Sequence, residues 1–264
     1  MDKLELICLM GSPWSSKALW ILEACGIRVT KKWAFEPFRS ELWLRYKLGL
    51  WPWQRGFWRR LTVPIGLLRG PDGRQHTLRE SMDIAEWALQ TSGRAPKEPA
   101  LLQFRQWNAL SETLLKYGRA AFVEAATRDV RVACEVIAPP WMKCLPMFMK
   151  HFVMKFAVSV FSFKYKQENQ ESDVKAVVQA AHRIRAALRA GKGKYLVDDQ
   201  FSYADIVMAI AVNGLSPSQG VLQFTIPPHY QSEQWDVLNE FEDVKEWKNC
   251  IVAEHLPQVL KVQA

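Results

Sequence analysis

The chain has 264 residues, 49% of them hydrophobic and 23% charged, which excludes a largely disordered polypeptide and allows one large domain or two small ones. Its formal net charge is +8, yet the basic residues are spread along the chain. No zinc-finger spacing, RNA-binding signature or compact basic helix appears, which argues against a nucleic-acid partner.

Residues 4–10 are rich in Leu, Ile and Cys and short, as a buried strand is. Gly11 and the Ser12-Pro13 pair follow. Then apolar Leu19, Ile21, Leu22 and Cys25 predict a helix that Gly26 ends as a C-terminal cap. "IRVTKKWAF" alternates as a second strand. Strand, helix and strand form a crossover unit, which requires a parallel pair. In "LTVPIGLLRGPDGRQHTLRE" two strand-like runs flank Gly70-Pro71-Asp72-Gly73, where Pro71 presets a turn and Gly73 accepts positive φ. That hairpin makes the predicted four-stranded sheet mixed. From Ser81 the pattern is helical, with Ile84, Trp87 and Ala88 on one face. A Gly/Pro-rich linker then falls at about 92–99.

Beyond the linker strand signals vanish. Helical spacing runs through 99–130, 136–166, 172–191 and 203–214. "FSYADI" predicts a capping box, with Ser202 as N-cap, Asp205 three residues on, and Phe201 facing Ile206 as a hydrophobic staple. The segment 137–166 is strongly apolar but interrupted by Lys143, Lys150, Lys155 and Lys164. No uncharged run reaches the roughly 18 to 20 residues that span a bilayer. It reads as a buried helix with lysines extending from one face, or as an amphipathic helix lying on a membrane surface.

The five cysteines, Cys8, Cys25, Cys134, Cys144 and Cys250, show no paired spacing, so a reducing compartment is expected. The apolar stretch in "MDKLELICLM" is too short for a secretory signal, and the expected location is the cytoplasm. His76, His151, His182, His229 and His255 show no ligand spacing, so no metal is expected.

Taken alone, Ser12 before Pro13 is a routine helix opening, and Ser81 is a routine N-cap with Glu80 a solvated charge. Four features in order, however, resemble the soluble glutathione S-transferase family. "SPWSSK" after a strand and Gly11 is similar to its active-site turn, and "TVPIGLL" to its strand carrying a cis-proline. "TLRESMDIAEWAL" is similar to its glutathione-binding Glu-Ser turn and third helix, and "YLVDDQFSYADIVMA" to the capping motif of its helical domain. The match covers residues 4–35, 60–90 and 195–215.

That resemblance implies the glutathione transferase fold. An α/β thioredoxin-like domain (1–91) with a mixed four-stranded sheet would bind glutathione as co-substrate. A linker (92–99) and an all-helical domain (100–264) would follow, the latter contributing a hydrophobic acceptor site. It further implies a detoxifying enzyme that pairs as a homodimer. Ser12 takes the catalytic position, with Ser15 as backup. Val63 and Pro64 would meet the cysteinyl part of glutathione, and Glu80 and Ser81 its γ-glutamyl end. For the glycine end Arg60 is chosen, with Arg59, Gln54 and Lys47 as other candidates. Trp14, Trp107, Tyr117 and Trp141 would line the acceptor pocket; the alternative role for the Trp-rich stretch 43–58 is to shape that pocket instead of holding the glycine end.

The chemistry suits these residue types. A free thiol with pKa near 8.5 is only about 3% thiolate at pH 7, and lowering that pKa by roughly two units takes about 2.7 kcal/mol. A helix N-terminus together with one charge-assisted hydrogen bond is of that size. Serines stand where dithiol relatives carry cysteines, so "SPWS" cannot form a mixed disulfide, which favours thiolate addition over disulfide reduction. The alternatives are a non-catalytic ligand-binding or scaffold protein on the same fold and a membrane-associated variant of it.

Overall fold

A computed structural model describes residues 3–9, 11–34, 41–50, 61–70, 74–138, 142, 144–165, 173–217 and 237–260. The chain divides into two compact units, one ending at Lys97 and the other beginning at Glu98.

The first unit holds strands β1 (Lys3–Cys8), β2 (Lys31–Ala34), β3 (Ile65–Arg69) and β4 (Gln75–Leu78) in the order β2-β1-β3-β4. β1 pairs parallel with β2 and antiparallel with β3, and β3 pairs antiparallel with β4. The mixed four-stranded sheet expected from the sequence is therefore present. The Gly70 N–H donates to the Arg74 carbonyl at 3.0 Å and closes the hairpin, although Pro71, Asp72 and Gly73 lie outside the described residues.

Helix α1 (Pro13–Ala24) opens with Ser12 in extended geometry and Pro13 in the first turn. It closes as the sequence requires: Gly26 takes φ +69°, and the Gly26 and Ile27 amides donate back to Glu23 and Leu22 at 2.9 and 2.8 Å. Those two bonds are a Schellman closure, which satisfies carbonyls that a helix end otherwise leaves open. Helix α1 packs on α3 (Ser81–Thr91). Gly66 makes their fit to the sheet possible, because a Cβ there would lie 3.3 Å from Leu4 and 3.4 Å from Ile84 of α3.

A short helix between β2 and β3, α2 (Glu41–Lys47), was not expected from the sequence. Its Leu44 is buried with Ile7, Ile65 and Leu67, against Trp33, Leu48, Leu61 and Val63. Strand alternation thus sends Leu4 toward α1 and α3, and Glu5 and Ile7 toward α2. On the α2 side the Glu5 carboxylate accepts from Trp33 Nε1 at 3.1 Å and from Lys47 Nζ at 2.9 Å.

The second unit is helical: α4 (Ala100–Arg128), α5 (Val130–Val136), α6 (Met147–Lys164), α7 (Val174–Ala190), α8 (Tyr203–Leu215) and α9 (Glu242–His255), then a 3-10 turn at Gln258–Leu260. The sequence reading of one helix over 136–166 is corrected. Helix α5 ends at Val136, and α6 begins only at Met147, with Pro146 at its N-cap. Asp129, extended at φ −137°, separates α4 from α5 and caps the latter by accepting the Arg131 N–H at 2.9 Å. The end of α4 packs with α5 and α6 around Phe122, Val132, Met142, Met154 and Val158.

Helix α8 is the axis of this unit, packed by α4 and α9, and every residue from Tyr203 to Asn213 is buried. Its start shows the capping box read from the sequence. Asp205 accepts from the Ser202 amide and hydroxyl, each at 2.9 Å, and from the Leu196 amide at 2.9 Å. Phe201 stacks on the His255 ring, centroids 4.0 Å apart.

Candidate functional site

Strand register brings the sequence-derived residues of the first unit to one end of the sheet. Ile7 pairs with Ile65, and Gly66 with Leu78. The chain leaving β1 at Cys8, entering β3 through Val63-Pro64 and leaving β4 toward Glu80 therefore meets at that end. Helices α1 and α3 both begin there, so the positive ends of two helix dipoles share it. The arrangement suits a ligand with more than one anionic group.

At the α1 start, Gly11 takes φ +81° and the Ser12 N–H donates to the Leu9 carbonyl at 3.1 Å. Ser12 is 7% exposed, and its side chain makes no cap hydrogen bond. The helix does not use that hydroxyl, although Ser12 stands at the N-cap. Ser15 is different: its hydroxyl oxygen accepts the Leu9 N–H at 3.1 Å, and the residue is buried. Ser16 is buried as well, and Trp14 is half-buried in the first turn.

The Val63-Pro64 peptide is cis, with Pro64 buried and Val63 half-buried at the head of β3. At the α3 start the local reading of Ser81 as N-cap is corrected. Glu80 is the N-cap and Ser81 the first helical residue, because the Asp83 carboxylate accepts the Glu80 and Arg79 amides at 3.2 Å each. Glu80 is exposed, whereas Ser81 is buried. An exposed carboxylate beside a helix start can take an ammonium group while the helix amides take an anion.

Arg60, Arg59 and Gln54, proposed for the glycine end, lie outside the described residues, as does Trp141. Lys47, the remaining candidate, is bonded to Glu5 and lies over the Trp33 ring at 4.3 Å. Trp107 and Tyr117 are buried on α4, where the Arg183 guanidinium lies 5.4 Å from the Trp107 ring and burial raises the Tyr117 pKa. Cys8 closes β1 fully buried, and desolvation raises its thiol pKa, so it is poorly suited to act as a thiolate. Among the described residues no group of three or more His, Cys, Asp or Glu side chains is placed to hold a metal ion.

Two residues escaped sequence reasoning. Asp83 had a signal, since "ESMD" has the same three-residue spacing as the Ser202–Asp205 box. Lys17, fully buried early in α1, had none, because a lysine on a helix ordinarily reaches solvent.

Residues 142–254 match the family model "Glutathione S-transferase, C-terminal domain". No protein of curated function matches the sequence. Among solved structures, a glutathione S-transferase from Methylobacillus flagellatus KT with GSH bound shares 16% identity at TM-score 0.57, over 98% of this chain and 100% of that one. A glutathione transferase family member from Pseudomonas fluorescens Pf-5, with two glutathione bound, shares 14% at TM-score 0.54, over 99% and 93%. The maleylacetoacetate isomerase of Anaeromyxobacter dehalogenans 2CP-1, with dicarboxyethyl glutathione and citrate in its active site, shares 15% at TM-score 0.51, over 96% and 91%. The chain thus has the glutathione transferase fold, and its residues 142–254 are similar to the glutathione S-transferase C-terminal domain.

Proposed function

We propose that the protein is a glutathione transferase that activates the glutathione thiol for attack on a hydrophobic electrophile. The observation that carries this reading is the Ser12 hydroxyl, which stands at the N-terminus of α1 and makes no cap hydrogen bond. In this reading it donates to the thiolate sulfur, while the α1 amides and dipole stabilise the same charge. The α3 amides with Ser81 hold the γ-glutamyl carboxylate, and Glu80 holds its ammonium group. Val63, heading β3, offers backbone groups to the cysteinyl unit.

Supporting this choice, Ser15 already accepts the Leu9 amide, and burial raises the Cys8 pKa. Positioning of thiolate and electrophile together supplies the remainder of the rate gain. Calorimetric titration with glutathione is the direct test. Heat of binding together with a thermal upshift at millimolar ligand is expected. The absence of both would leave the non-catalytic scaffold reading in its place.

A further inference from the structure

Helix α6 carries apolar side chains on two separate sides. Its inner side buries Met154 and Val158 in the core of the helical unit. Its outer side carries Phe148, Phe152 and Phe163, exposed by 73%, 78% and 81%. Positions 148, 152 and 163 fall on one helical stripe, since i, i+4 and i+15 lie within about 60° of one another at 3.6 residues per turn. Large apolar side chains on a helix surface are normally covered, and these three are exposed.

Charge narrows what could cover it. From Val136 to Gln167 the sequence contains no Asp or Glu, while Lys143, Lys150, Lys155, Lys164 and Lys166 fall within it. Lys155 is exposed and, three residues after Phe152, borders the stripe. A two-fold pairing through this face would bring like charges together. An anionic bilayer surface meets both requirements, because phenyl rings enter the acyl boundary while lysines reach the headgroup phosphates. Among the described residues no helix is long and apolar enough to cross a membrane, so the fitting geometry is one lying in the interface.

We propose that the outer face of α6 docks the protein on anionic lipid membranes, with Phe148, Phe152 and Phe163 inserted and Lys155 at the headgroups. The inference is independent of the glutathione reading. Its test is co-sedimentation of the full chain with phosphatidylcholine vesicles, with and without phosphatidylglycerol, at low and high salt. Binding is expected only to the phosphatidylglycerol vesicles and is weakened by salt. The Phe152→Ser/Phe163→Ser variant is expected to bind roughly tenfold more weakly and Lys155→Gln about fivefold more weakly. Both should keep the wild-type melting temperature, because the side chains removed are exposed. No binding, equal binding to phosphatidylcholine alone, or binding unchanged in the Phe variant would overturn the proposal. So would a dimer that the Phe variant dissociates in the absence of vesicle binding, which would make the face an interface between copies.

Discussion

The Leu9 amide donates to the Ser15 hydroxyl oxygen across 3.1 Å, tying the turn that precedes α1 to the helix it opens. Ser12, three residues earlier, makes no such bond to its helix. Ser15 is thus committed to the fold, whereas the proposed function assigns Ser12 to the ligand. Ser15→Ala leaves a part-buried amide without its acceptor and should cost about 1–3 kcal/mol in urea unfolding. Ser12→Ala should leave stability within about 0.5 kcal/mol but raise the apparent pKa of bound glutathione by roughly one to two units, followed by thiolate absorbance. An unchanged thiol pKa in Ser12→Ala would remove Ser12 from the mechanism.

Asp205 accepts three hydrogen bonds while fully buried, and desolvation raises its pKa from 3.8 to about 6. The folded carboxyl therefore keeps its proton through a range where the unfolded one has lost it. Its contribution to stability falls as pH rises from about 4 to about 6, by up to roughly 3 kcal/mol. Unfolding free energies of wild type and Asp205→Asn across that range should show the decline in wild type only. Asp205→Ala, which strands all three donors, should cost about 3 kcal/mol or more at pH 7.

Lys248 on α9 is buried and donates to the Ser216 carbonyl at 2.9 Å, and desolvation lowers its pKa to about 8. Between pH 8 and the ordinary lysine value of 10.5 the unfolded chain binds the extra proton, so stability rises with pH across that window. Replacement by Met should abolish the rise, as thermal melts buffered over the same interval would report. A rise of the same size in Lys248→Met would place its origin elsewhere.

Glu5 joins β1 to α2 and β2 through its bonds to Lys47 and Trp33, and the Lys47 bond, followed by that from Trp33, holds its pKa below the usual carboxylate value. Its stabilising contribution is complete above the unfolded pKa and is lost as pH falls through the folded one. Glu5→Gln should cost about 1 kcal/mol at neutral pH and almost nothing in strong acid, as denaturant titrations at the two pH values would reveal.

Local chemistry made parts of this molecule readable. The Ser12-Pro13 opening, the Gly26 closure and the Ser202–Asp205 box each concern a few adjacent residues whose capping roles follow from backbone geometry. The convergence of Ser12, Val63 and Glu80 follows from a strand register that the hairpin and the crossover already imply. Helix α2 was not readable, because its seven residues owe their place to Leu44 packing on Ile7, Ile65 and Leu67, partners far away in sequence. Helix α9 was obscured differently: Val244, Trp247 and Ile251 keep helical spacing, but Lys248 stands in the same buried row and blurs the period. The break before α6 is masked by the apolar content of 136–166, which outweighs the signal of Pro146.

The sheathing of α8 by its neighbours has a dynamic counterpart. Fraying and loop motion release amide hydrogens only where water can reach a backbone that opens by itself. From Tyr203 to Asn213 no side of the helix faces solvent, and the Ser202–Asp205 box closes the end from which unwinding would start. These amides can meet solvent deuterium only when α4 and α9 come away as well. Their exchange rates therefore act as a built-in gauge of the global opening of the helical unit, readable residue by residue without any denaturant.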